Sequence, residues 1–355
     1  MLETTSFSHN LIQIETTTTT TIHSIQNKLQ TLGFEIHHST SQTEKYFYAT
    51  IGQNHPHILF IANLPSPTIK ITQTQTSEKQ ANLQTLLCFI NACEQFIKER
   101  KFNGKISIFI QQKNNFNCSQ NLKNIFNQMS LTHENIDFCI IGEPNHNKKN
   151  RPEINIGNLG NILFKITTYG DSYSSLTTTS NNNAINNLLS FLYKLKSNLI
   201  DNGNEIYSSS TLNILQLHAE APSQFSTPTK ASATIHVKYN NNHTSQDIIR
   251  WMQNHINFCN GQFELQYEQI STPYASQISP EINILQETIP QIISSTPHLT
   301  TNCTSDFSNF IKDYCPFAEL GLSTKNNKQI EENIINLQEI YFQFLHKYLN
   351  PHNLS

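Results

Sequence analysis

The sequence predicts an α/β fold: a sheet domain interrupted along the chain, with a smaller β-α-β-β-α-β module set into the interruption. Three observations predict it. Apolar strand-like runs alternate with helical periodicities up to Ile141. The middle of the chain then changes to the split β-α-β-β-α-β order of a ferredoxin-like unit. After Pro273 the helix–strand–helix character returns.

Taken in order, Ile22, Ile25, Leu29 and Leu32 recur at helical spacing, and Gly33 follows as a stop. Tyr46–Ile51 and Ile58–Ala62 read as strands. Leu83, Leu86, Leu87, Ile90 and Ile97 mark a second helix. Ile106–Ile110 is a strand, Leu122–Met129 a helix, and Phe138–Ile141 a short buried strand. The module comprises strand Ile162–Thr168, helix Ala184–Leu195, strands Thr211–Leu217 and Ala231–Tyr239, helix Ile248–Ile256 and strand Gln262–Tyr267. Helix Ile282–Ile292, strand Phe317–Leu320 and a terminal helix Gln329–Tyr348 complete the chain. Residues 1–158 and 274–355 are therefore expected to form one domain, and 159–273 the other.

Composition narrows the function. A chain of 355 residues is long enough for two domains with real cores. Its net charge is −3 and it has three scattered arginines, Arg100, Arg151 and Arg250. A basic stripe is absent, so no nucleic-acid partner is expected. No run of about 18 apolar residues occurs, so no membrane span is expected. The opening MLETTSFSHN lacks an apolar core, so no secretory leader is expected. The seven cysteines are odd in number, and Cys88, Cys93 and Cys139 lie in apolar runs. That pattern predicts reduced thiols and a cytoplasmic setting. With only 10 glycines, the chain has neither a GxGxxG nor a GxxxxGK[ST] phosphate loop.

The order of elements, with Ile136–Pro144 (IDFCIIGEP), Leu29–Phe34 (LQTLGF), Thr304-Ser305-Asp306 and Glu319-Leu320-Gly321, resembles the M20 family of zinc peptidases and amidohydrolases. The similarity covers nearly the whole chain, and its nearest branch is succinyl-diaminopimelate desuccinylase. The resemblance implies that the inserted module is a lid and dimerisation domain, making the chain a homodimer. For an active member it implies two zinc ions sharing a carboxylate, with a glutamate base that activates water. Such a member hydrolyses N-succinyl-L,L-diaminopimelate in lysine and diaminopimelate synthesis.

Carried over residue by residue, most of that site is missing. The first histidine becomes Asn63, and the bridging aspartate, expected just before the second helix, becomes Ala81. Lys113-Asn114-Asn115 replaces the paired glutamates, putting Asn114 at the general-base position and Asn115 at a ligand position. Glu143 is kept, and the last histidine falls near Lys328. Thr304, Ser305 and Asp306 are the remaining candidates for the substrate pocket. The resemblance thus implies a degenerate desuccinylase-like chain with no cofactor expected, acting through binding or scaffolding, with its small-molecule ligand unassigned. The alternative is an active zinc hydrolase. Two residue-level readings stay open: Glu143 either ligates or positions the chain, and Thr304–Asp306 either orients substrate or caps a helix. His37-His38 and His55-x-His57 are weak metal pairs without a third ligand.

Overall fold

The computed structural model describes residues 18–38, 46–64, 73–99, 102–112, 118–131, 135–144, 152–174, 182–198, 200–303, 305–322 and 330–350. Contacts divide the chain into two compact units. One is Met1–Ile156 with Ser276–Leu299 and Cys303–Ser355; the other is Gly157–Ala275 with Thr300–Asn302.

The first unit is built on helices α1 (Thr18–Thr31), α2 (Gln73–Glu99), α3 (Cys118–Leu131), α6 (Pro280–Ile293), α7 (Asp306–Ile311) and α8 (Ile330–Leu349). Its strands are β1 (Glu35–His38), β2 (Tyr46–Gln53), β3 (His57–Leu64), β4 (Gly104–Gln112), β5 (Phe138–Ile141), β6 (Glu153–Asn155), β13 (His298–Thr300) and β14 (Phe317–Glu319). The sheet order is β1-β2-β4-β3-β5-β14-β6-β13. β4, β3, β5 and β14 run parallel; β1, β2 and β6 pair antiparallel with their neighbours. Every residue of β3 (HILFIANL) and of β5 (FCII) is buried, as expected of parallel strands covered on both faces.

On one face Phe60 stacks on Phe89 of α2 with centroids 4.0 Å apart, and Tyr341 of α8 meets both rings edge-on. On the other face Phe109 meets Phe307 of α7, and Phe126 of α3 meets Phe310. The chain leaves β3, forms β4 on one side of it, then returns to form β5 on the other. The carboxyl ends of these strands therefore meet at a topological switch, the usual place for a ligand in such sheets.

The second unit is a four-stranded antiparallel sheet, order β11-β8-β10-β9, built from β8 (Gly160–Tyr169), β9 (Thr211–Ala219), β10 (Lys230–Tyr239) and β11 (Gln262–Ser271). Helices α4 (Ala184–Ser197) and α5 (Ser245–Asn257) lie on one face, and Phe164, Ile235, Phe191 and Met252 are among its core. Asn183 caps α4, and Thr244 with Asp247 forms a capping box at α5. Residues 162–168 are thus in a different sheet from 106–110. A short ribbon of β7 (Gly157–Asn158) and β12 (Tyr274–Ala275) closes the unit's ends.

Several boundaries differ from the sequence expectation. β3 runs on through Asn63 and Leu64 rather than ending at Ala62. α2 begins at Gln73, so Ala81 lies more than two turns inside it and not ahead of it. The polar stretch QTQTSEKQ has no apolar period to announce a helix, yet its Gln, Glu and Lys propagate one well. β1, β6, β7, β12 and β13 are too short to show a period.

Candidate functional site

Asn63 ends the run of β3 residues that point away from α2, on the side of Ile61. Its strand partner is Gln111 of β4, as Ile61 is partnered by Phe109. The same register aligns Ile61 with Ile141 and Ile141 with Glu319. Asn63, Gln111 and Glu319 therefore share the α7 face at the carboxyl end of the parallel strands. Glu143 follows β5 by two residues.

The sheet itself sets the position of Glu143. Gly142 N–H donates to Ile61 O at 2.8 Å, and Leu320 N–H donates to Ile141 O at 3.0 Å. Both motif glycines are there for close approach. A Cβ on Gly142 would meet the Phe60 ring at 2.5 Å, and one on Gly321 would lie 2.1 Å from Glu143 O. Gly-Glu-Pro and Glu-Leu-Gly are thus the two halves of one backbone junction.

At this junction Asn63 Nδ2 donates to Glu143 Oε1 at 2.9 Å, with both side chains buried. Beside it, Asn121 Nδ2 of α3 donates to Gln111 Oε1 at 3.3 Å, again buried. The Oδ1 atoms of Asn63 and Asn121 are buried without a hydrogen-bond partner. The described cluster is one carboxylate among neutral amides. Gln111 and Asn121 were not singled out from sequence; the register opposite Asn63 and the i+10 return from α3 are visible only once strands are paired.

Of the pocket candidates, Ser305 is buried and caps α7, its Oγ accepting from Phe307 N–H at 3.3 Å. Its own N–H donates to Glu319 Oε2 at 3.2 Å. Asp306 is exposed on the first turn of α7, where a carboxylate favours the helix dipole. Glu319, buried at the end of an apolar strand, is the group that sequence reading quoted in a motif without assigning it to the site. Asn114, Asn115, Lys328 and Thr304 lie outside the described residues.

The middle of the chain, residues 156–262, matches the family model of the M20 peptidase dimerisation domain. The succinyl-diaminopimelate desuccinylase of Ehrlichia canis (strain Jake) is 24% identical over 355 residues, covering 92% of each chain. That of Wolbachia pipientis wMel is 26% identical over 271 residues, covering 75% of this chain and 68% of its own. Among solved structures, the aminopeptidase PepT of Bacillus cereus superposes with a TM-score of 0.68 at 12% identity, over 97% of this chain and 98% of its own. The M20 metallo-carboxypeptidase of Sulfolobus solfataricus does so at 0.62 and 13%, over 98% and 99%.

The chain belongs to the M20 peptidase family.

A Bacillus subtilis M20 peptidase of the same fold, with a TM-score of 0.62 at 13% identity over 93% of this chain and 92% of its own, is described as dinuclear and metal-binding. The described residues here do not fit a metal pair. Among them no three His, Cys, Asp or Glu side chains converge. Asn63 also turns an N–H, not a lone pair, toward the M20 glutamate. Zinc takes thiolate, imidazole and carboxylate ligands, and an amide N–H is none of these.

The other sequence candidates have structural partners. His55 precedes β3, so it shares no strand face with His57; its Nδ1 lies 2.6 Å from Asp137 Oδ2. His57 is buried, with Nδ1 3.0 Å from Asn135 O and Nε2 2.6 Å from Ser107 Oγ. Tyr48 O–H donates to the same Ser107 Oγ at 2.8 Å. His37 packs its ring near Tyr48. Burial pushes the Cys88 and Cys315 thiols up to about 12 and raises Cys139 strongly, which leaves no reactive thiolate there.

Proposed function

We propose that this chain keeps the architecture of a desuccinylase-type M20 hydrolase without its catalysis, and works as a homodimeric binding or scaffold protein of the cytoplasm. The observation that carries this reading is the buried Asn63–Glu143 hydrogen bond. It ties up the retained acidic position with an amide where a metal ligand would stand. The sequence adds Asn114 at the base position and Lys328 near the last ligand position. A full, deprotonated ligand set is worth roughly 10–16 kcal/mol to a structural zinc; one carboxylate supplies a small part of that. Without bound metal, water keeps a pKa near 15.7 instead of about 7. The dimerisation-domain match supports the homodimer, and the buried free thiols support a reducing compartment.

The test is hydrolysis of N-succinyl-L,L-diaminopimelate by the purified full chain, with and without added zinc or cobalt, alongside metal analysis. Activity at background and no stoichiometric metal are expected. Turnover that a chelator abolishes and zinc restores would overturn the reading in favour of an active desuccinylase.

A further inference from the structure

In the second unit the helix layer stops short of one edge of the sheet. α4 rests on β8 and β10, and α5 on β11. β9, at the far edge, is left bare among the described residues. Leu212, Ile214 and Leu217 of β9 stand opposite Val237, Ile235 and Ala233, all buried on the helix side of β10. Their apolar side chains therefore point to the helix side too, yet Leu217 is 57% exposed.

α4 supplies the other wall. Its flank toward α5 is fixed by Lys194 Nζ, which donates to Phe258 O at 3.0 Å, and by Asn198 Nδ2, 3.2 Å from His255 Nε2. At about 100° per residue, Ile185 and Leu189 fall on the opposite flank, next to bare β9. Leu189 is 53% exposed. An uncovered strand and an apolar helix flank thus form one step in the surface.

The two edges of the sheet differ in charge. β11 carries Glu264 and Glu268, which would face like charges across a two-fold axis. β9 (TLNILQLHA) has no Asp, Glu, Lys, Arg or Pro. Edge strands in soluble chains are normally guarded by such residues; β9 is not, and it lies within the dimerisation-domain match.

We propose that a second copy of this chain docks on this edge, β9 pairing antiparallel with its counterpart and the Ile185–Leu189 flank packing on the same flank, so that two four-stranded sheets join into one. The contact is isologous, each residue meeting its partner's equivalent set. The proposal rests on the homodimer part of the function above and is independent of whether the old metal site is active.

The experiment is sedimentation of the full chain at micromolar concentration, comparing the parent with Leu217→Lys, Leu189→Lys and, on the opposite edge, Ile270→Lys. Ile270 is 58% exposed, so all three lysines replace solvent-facing side chains. Circular dichroism checks that each variant is folded. The parent and Ile270→Lys are expected at twice the 40.6 kDa chain mass. Symmetry places each β9 or α4 lysine in the interface twice, so Leu217→Lys and Leu189→Lys are expected to raise the dimer dissociation constant by roughly 100-fold. A monomeric parent would overturn the proposal, as would folded dimers of both Leu217→Lys and Leu189→Lys, or dissociation by Ile270→Lys alone. Because the readout is mass, it is unaffected if the chain proves to be an active hydrolase.

Discussion

Asn63 and Glu143 show how far single residues can be read. Glu143 was legible because Gly-Glu-Pro follows a short apolar strand. Asn63 was legible only through the family resemblance, and its bond to Glu143 only in the folded chain. Gln111 and Asn121 were not legible at all, since an amide at a strand or helix end reads as an ordinary solvated residue. Asp201, likewise unannounced, is the acceptor that organises its loop: its Oδ1 takes bonds from Gly203 N–H, Ser210 N–H and Asn240 Nδ2 at 2.7, 3.1 and 2.6 Å. Burial raises its carboxyl, but the bonds from Ser210, Gly203 and Asn240 outweigh it and hold the group below its ordinary 3.8. A carboxyl lowered on folding contributes stability that is present above the unfolded value and lost as pH falls through the folded one. The urea midpoint is therefore expected to fall on acidification from pH 5 to below 3.8, and to fall less in Asp201→Asn, which starts lower. Equal slopes for the two proteins would exclude this role.

At the scale of elements, strands with strong apolar runs were legible and so was the β-α-β-β-α-β module. Gly33 does end α1, with φ 92° and a bond from Phe34 N–H back to Leu29 O at 3.0 Å. The start of α2 was missed because residues 73–80 carry no period, and that error put Ala81 on a loop it does not occupy. The junction of β5 with β14 yields a prediction. Gly321→Ala must push a methyl against Glu143 O, now 2.1 Å from that position, in a buried backbone contact with no side chain to yield. A loss of about 1–3 kcal/mol is expected by denaturant titration, as for other overpacked sites. A neutral result would mean that the junction is looser than its hydrogen bonds imply.

For the whole molecule, the fold was legible from the alternation of elements, and its two units each carry a core. The state of the site was not, because the ligand positions are spread over loops and strand ends whose spacing survives in sequence while their chemistry does not. A ligand that binds only the folded chain stabilises it by RT ln(1 + [L]/Kd), about 4 kcal/mol at a thousandfold excess over Kd. Melting temperatures in zinc and in chelator are accordingly expected to coincide. A clear rise with zinc would show a tight native site and count against the non-catalytic reading.

The contacts among Tyr48, Ser107, His57 and Asn135 also have a direction. A carbonyl can only accept, so Asn135 O requires the imidazole hydrogen on Nδ1. Nε2 of the neutral ring is then bare and takes its hydrogen from Ser107, which in turn receives one from Tyr48. Every hydrogen points the same way, from β2 through β4 into β3. The chain can be shortened cheaply from its donor end but not cut in the middle. Tyr48→Phe removes one bond and strands no donor, for a loss near 1 kcal/mol. Ser107→Ala deletes fewer atoms, yet it leaves a lone pair on His57 and takes away the acceptor of Tyr48, so it is expected to cost roughly twice as much in the same urea titration. The smaller substitution doing the greater damage is the signature of a one-way wire, and an equal or reversed order would mean that the hydrogens are arranged otherwise.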